Sequence, residues 1–133
     1  MKKLVLALVM LVSVLCSQAQ TIGDHLNYIR ESKPSGTLDT ETKPYTYSYF
    51  DEDVSSVMMY FLDQNLICDR IVISPTTDSS RQRWVKSFND GWIISSSTMW
   101  RFYKSDGMIL LCTMHHVNDV GMVFFIKEEK VEN

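Results

Sequence analysis

Residues 110–119 read LLCTMHHVND, which places Cys112, His115 and His116 within five positions and gathers two of the chain's three histidines. Such a cluster suggests two chemistries. A zinc-type site needs imidazoles and a third ligand converging at about 2 Å from one ion. A cysteine hydrolase needs an exposed thiolate with a histidine at hydrogen-bonding distance. Neither pattern is written out in full, because no His-x-His or Cys-x-x-Cys occurs.

Neighbouring strand residues point to opposite faces, so His115 and His116 diverge. Cys112 and His115 are also opposed, and Cys112 lies about 13 Å along the strand from His116. A hydrolase using Cys68 or Cys112 with His115 is the enzymatic alternative, and Cys68 near His115 is its better geometry. No Gly-x-Ser-x-Gly elbow or Ser-x-x-Lys is present, and the five glycines are isolated, so no phosphate-cradling loop is expected. The acidic run Asp51-Glu52-Asp53 reads as a solvated hairpin loop. No metal and no cofactor is expected, and the chain reads as a non-enzyme.

The elements that position these residues follow from periodicity. Thr21 to Asp24 resembles a helix cap, and Ile22, Leu26 and Ile29 then fall on one helical face before the Ser32–Gly36 stop. Three strand-like runs follow, at Tyr45–Phe50, Val57–Leu62 and Ile67–Ser74. A second helix starts at a capping-box pattern from Ser79 and carries Trp84, Val85 and Phe88 to a stop at Asn89-Asp90-Gly91. Three more strands are expected at Thr98–Tyr103, Met108–Met114 and Val120–Lys127.

The fold class is therefore α+β, an αβββ unit over about 21–75 repeated over about 78–128, with antiparallel sheet and helices on one face. An offset of 53 residues aligns Asp53 with Asp106 and Asn65 with Asn118. Strand alternation at this offset assigns Tyr47, Tyr49, Val57, Met59, Phe61, Ile71 and Ile73, with their counterparts Trp100, Phe102, Leu110, Cys112, Met114, Phe124 and Ile126, to the helix side. The opposite, mixed face should carry Phe50, Tyr60, Arg70, Arg101, Tyr103, His115 and Phe125, the candidate binding residues. Cys112 and Cys68 fall on opposite faces in this register, so they should remain unpaired.

Residues 1–19 read as a signal peptide: Lys2-Lys3, an apolar run from Leu4 to Cys16, then small residues before a cut after Ala19. Leu15 stands where a lipoprotein signal has a small residue, so lipidation at Cys16 is not expected. The run is too short to span a bilayer. Residues 20–133 should form one exported domain, periplasmic or secreted, with no membrane insertion. They carry 11 basic and 16 acidic residues, a balance that excludes nucleic acid as an expected partner.

An exported chain of two helix-plus-three-strand units resembles the β-lactamase-inhibitor-like fold and the PepSY-like periplasmic modules that share its architecture. The resemblance implies a binding or inhibitory module that uses a sheet face. It carries no motif, hence no functional residue. A protein or peptide partner is the expectation, with an envelope structural subunit or homodimer as a further alternative.

Overall fold

The computed structural model describes residues 21–130, so the signal-peptide reading and Cys16 lie outside the described residues. The elements are α1 (Leu26–Ser32), β1 (Thr37–Asp39), β2 (Tyr45–Asp51), β3 (Ser56–Leu62), β4 (Cys68–Pro75), α2 (Asp78–Gly91), β5 (Ile93–Ser96), β6 (Met99–Tyr103), β7 (Ile109–Val117) and β8 (Gly121–Glu128). All eight strands join one antiparallel sheet in the order β1-β2-β3-β4-β8-β7-β6-β5. The fold is mostly sheet.

Both helices begin elsewhere than the sequence pattern suggests. In α1 the N-cap is His25, whose Nδ1 accepts a hydrogen bond from the Asn27 amide at 3.1 Å. Thr21 cannot start that helix, because the segment after it is bonded to the beginning of β4. Gly23 N–H donates to the Cys68 carbonyl and Cys68 N–H donates to the Asp24 carbonyl, both at 2.8 Å, with Gly23 at φ +99°. Glycine tolerates that left-handed backbone. Ile22, Leu26 and Ile29 are buried nonetheless.

Helix α2 starts two residues early, at the N-cap Thr77. Thr77 Oγ1 accepts from Ser80 N–H at 3.0 Å and Ser80 Oγ accepts from Thr77 N–H at 3.3 Å, a reciprocal capping box. Asp78 in the first turn complements the helix dipole and pairs with Arg81 at 2.6 Å. The helix reaches Gly91 as its sequence stop requires.

The core clusters around α2. Phe88 contacts Trp84, Trp92, Trp100 and Phe124, with ring centroids 5.1–6.0 Å apart. The indole N–H groups of Trp84 and Trp100 donate to Ser56 Oγ and Asn89 Oδ1, each at 2.8 Å. Buried indoles need such partners. Gly36 seats Tyr47, whose hydroxyl accepts from Gly36 N–H and donates to the Lys33 carbonyl. A methyl group on Gly36 would lie 2.3 Å from the Tyr47 ring.

One face assignment is inverted. In β3 the buried residues are Ser56, Met58, Tyr60 and Leu62, whereas Val57, Met59 and Phe61 point to the opposite face. The cause is loop length. Asp51 pairs with Ser56 across a four-residue loop, while Tyr103 pairs with Ile109 across five. One residue of difference flips every side chain of the following strand. Tyr60 is therefore core, 1 % exposed, and not a binding residue of the open face. Cys68 at the start of β4 apart, the other strands keep the predicted faces: Tyr47, Tyr49, Ile71, Ile73, Trp100, Leu110, Cys112, Phe124 and Ile126 are all buried.

Candidate functional site

On the sheet surface remote from the Phe88 cluster, where Val123 is buried to 2 % exposure, the strand register sorts residues into transverse rows. The central row runs Ser48, Met59, Val72, Phe125, Thr113, Met99 across six strands. Below it runs Thr46, Phe61, Arg70, Lys127, Leu111, Arg101, Ile93. The face is apolar in its middle row and cationic in the next.

Six of the seven predicted residues lie on this face, spread over it. Phe50, 52 % exposed, and Tyr103, 56 % exposed, occupy opposite corners at the ends of β2 and β6. His115 and Phe125 meet edge to face at 5.2 Å, and His115 Nε2 lies 2.8 Å from Thr113 Oγ1. Arg70 sits with its guanidinium 4.9 Å from the Phe61 ring centroid and only a 3.5 Å contact to the exposed Asp69.

Arg101 is already engaged: Glu129 accepts from its Nε at 2.8 Å and from its Nη2 at 2.9 Å, and Ser95 Oγ accepts from Nη1 at 2.5 Å. These hydrogen bonds hold the Glu129 carboxyl below its ordinary range and the Arg101 guanidinium above its own. The sequence reading missed Lys127, although it shares parity with Phe125. It also missed Met59 and Phe61, hidden by the loop-length difference.

His115 and His116 diverge, facing Val123 and Met122 across the ladder. Among the described residues no group of three or more His, Cys, Asp or Glu side chains is placed to hold a metal ion.

Cys68 and Cys112, the two cysteines among the described residues, are both buried and unpaired. Cys68 corrects the predicted placement: it pairs with Leu62 at an irregularity in the β3–β4 ladder and joins the core. Its Sγ donates to the Arg70 carbonyl at 3.4 Å, and burial pushes its pKa from 9.0 up to about 12. Burial also raises the Cys112 thiol well above its ordinary value. Neither thiol faces His115, which lies on the other side of the sheet.

Two outcomes follow from the cysteine geometry. Native protein should leave both cysteines unlabelled by a thiol reagent until it unfolds; rapid labelling of either would contradict this placement. A thiol protonated when folded and ionised when unfolded makes stability fall with rising pH, because the native state then binds more protons. For Cys68 the loss runs from about pH 9 to about 12, and Cys68→Ala should flatten it in urea melts across that range.

At the end of the sheet, Lys43, Tyr45, Leu62, Asp63 and Leu66 line an open cleft of about 430 Å³. Asp63 is occupied there, since its Oδ1 accepts from the amides of Asn65 and Ile67 at 2.8 and 3.0 Å. Neither cysteine and no histidine lines the cleft. No described helix is long and apolar enough to cross a membrane. Comparison of the chain with family models, curated proteins and solved structures finds no match.

Proposed function

We infer that this chain is an exported, non-enzymatic binding module that recognises a protein or peptide through the open face of its sheet. The observation that carries the reading is the row Met59, Val72, Phe125, Thr113, Met99. It crosses the five strands β3, β4, β8, β7 and β6, and Phe125 in its centre is 36 % exposed. Uncovered apolar surface at the centre of a sheet is costly to maintain and marks contact surfaces. The buried thiols supply no competing chemistry.

The same reading takes the chain as an internal duplication, in keeping with the resemblance of its sequence layout to tandem helix-and-sheet inhibitor modules. Each unit gains an outer strand, β1 or β5, over the three expected. Val72 pairs with Phe125, its own counterpart at the 53-residue offset, which suits a pseudo-twofold axis through the β4–β8 seam. The seam sets the two units side by side, so their strands present one continuous face to a partner.

The test compares wild type with Val72→Asp/Phe125→Asp in capture from the native envelope fraction, alongside solution mass. Wild type should retain a partner that the folded double variant loses. Identical capture by both would defeat the reading. A wild-type dimer that the variant dissolves would assign the face to self-association instead.

A further inference from the structure

Arg70 and Lys127 are direct cross-strand partners at the centre of the sheet, on β4 and β8, with both side chains on the open face. Like charges opposite one another in an antiparallel pair are destabilising. Among the described residues the one offsetting contact is an exposed one, Arg70 Nε to Asp69 Oδ1 at 3.5 Å. Among the described residues Lys127 has neither an ion-pair nor a hydrogen-bond partner. The acid two positions on, Glu129, is held by two hydrogen bonds from Arg101. Arg70 leans away from Lys127, over Phe61 on the far neighbour β3, as repulsion would direct it. The chain as a whole is acidic, at net −3, so this cationic pair runs against the global charge.

We propose that Arg70 and Lys127 form an anionic subsite that takes a carboxylate side chain from an extended peptide docked on the open face. The proposal rests on the open-face reading and deepens it. A carboxylate between the two cations would remove their repulsion and gain charge-assisted hydrogen bonds from a guanidinium and an ammonium.

The adjoining row defines the rest of the ligand. Phe125 precedes Lys127 by two residues on one strand, and Val72 follows Arg70 by two on the other. Same-side residues of an extended chain recur every ~7 Å, which matches the spacing between these rows. A peptide lying along the strands therefore sets an apolar residue on Val72 and Phe125 when its carboxylate sits at Arg70 and Lys127. The recognised pattern is an apolar residue and an acidic residue separated by one position.

The test uses fluorescence anisotropy with a labelled peptide of repeating Val-Ser-Glu-Ser and its Val-Ser-Gln-Ser isostere. Wild type should bind the glutamate peptide about tenfold or more tightly than the glutamine peptide, with affinity falling as salt rises. Arg70→Gln/Lys127→Gln should abolish that preference. Lys127→Glu should abolish it too while raising the thermal midpoint by roughly 2–4 °C, because it turns repulsion into attraction; a lowered midpoint would overturn the like-charge premise.

Equal binding of both peptides, lost on Val72→Asp, would overturn the subsite and leave the open face standing as a binding surface. Binding that neither Val72→Asp nor the charge changes alter would place the peptide elsewhere and overturn both. No peptide binding, or sedimentation with phosphatidylglycerol vesicles in place of it, would also overturn the subsite.

Discussion

Replacing Phe88 with alanine is expected to cost about 3–5 kcal/mol of stability, the range for deleting a fully buried aromatic ring from a core that can relax only in part. Phe88 is 0 % exposed and touches Trp84 and Trp92 on its own chain segment, Trp100 on β6 and Phe124 on β8. Its removal leaves a void bordered by four rings, large and rigid enough that none can swing in to fill it without leaving a favoured rotamer. Phe88→Leu keeps most of the volume and should cost about 1–2 kcal/mol.

Because all three tryptophans of the chain contact Phe88, intrinsic fluorescence reports the site directly in a urea titration. The midpoint should fall at an unchanged slope. A loss below about 1 kcal/mol would mean that the helix and the sheet are not joined through this ring.

Tyr60 and Tyr103 should behave in opposite ways, although the sequence pattern treats them as one surface. Tyr60 is 1 % exposed, its ring stacks on Tyr49 at 6.0 Å, and the two hydroxyl groups lie 3.2 Å apart. Tyr60→Ala should cost about 3–4 kcal/mol. Tyr60→Phe, which keeps the ring and leaves Tyr49 without that hydroxyl, should cost about 1 kcal/mol.

Tyr103 is 56 % exposed on the opposite side of the sheet, and Tyr103→Ala should change stability by no more than about 0.5 kcal/mol. Equal, small effects of the two alanine changes would invert the β3 register described above. They would also return Tyr60 to the open face.

The α+β composition, both helices and six of the eight strands are legible in residue periodicity, because each carries apolar residues at its own period. The outer strands β1 and β5 are not. Thr37–Asp39 has three residues with only Leu38 partly buried against the core, and Ile93–Ser96 runs into a serine stretch with all four residues exposed, so neither carries a repeating buried side to mark it. Edge strands of this length are held by their neighbours' hydrogen bonds, a property that a one-strand pattern does not encode.

The parity of the open face is legible in the sequence except where a loop length or a register shift intervenes. Pairing Asp53 with Asp106 implies a matched turn, yet the first loop is one residue shorter, and β3 is turned over as a result. Alternation alone fixes which residues share a face; which face it is depends on the turn before it. Cys68 escaped for a related reason, since the β3–β4 ladder shifts register between Phe61 and Leu62. His115 and Arg101 lie on the face that alternation assigns them, but their partners Thr113 and Glu129 belong to tertiary geometry that no spacing rule anticipates.

The β4–β8 seam also has a temporal meaning. On either side of it the strands join neighbours through short loops, so those pairings close quickly from contacts local in the chain. The seam itself consists of four registered pairs, of which Ile71 with Ile126 joins residues about 55 apart, with α2 lying between them in sequence. Closing that span carries the largest loop entropy of the sheet. The half-sheets can zip early, but the molecule becomes one cooperative body only when β8 finds β4, and until then the central strand edges remain open to a wrong neighbour.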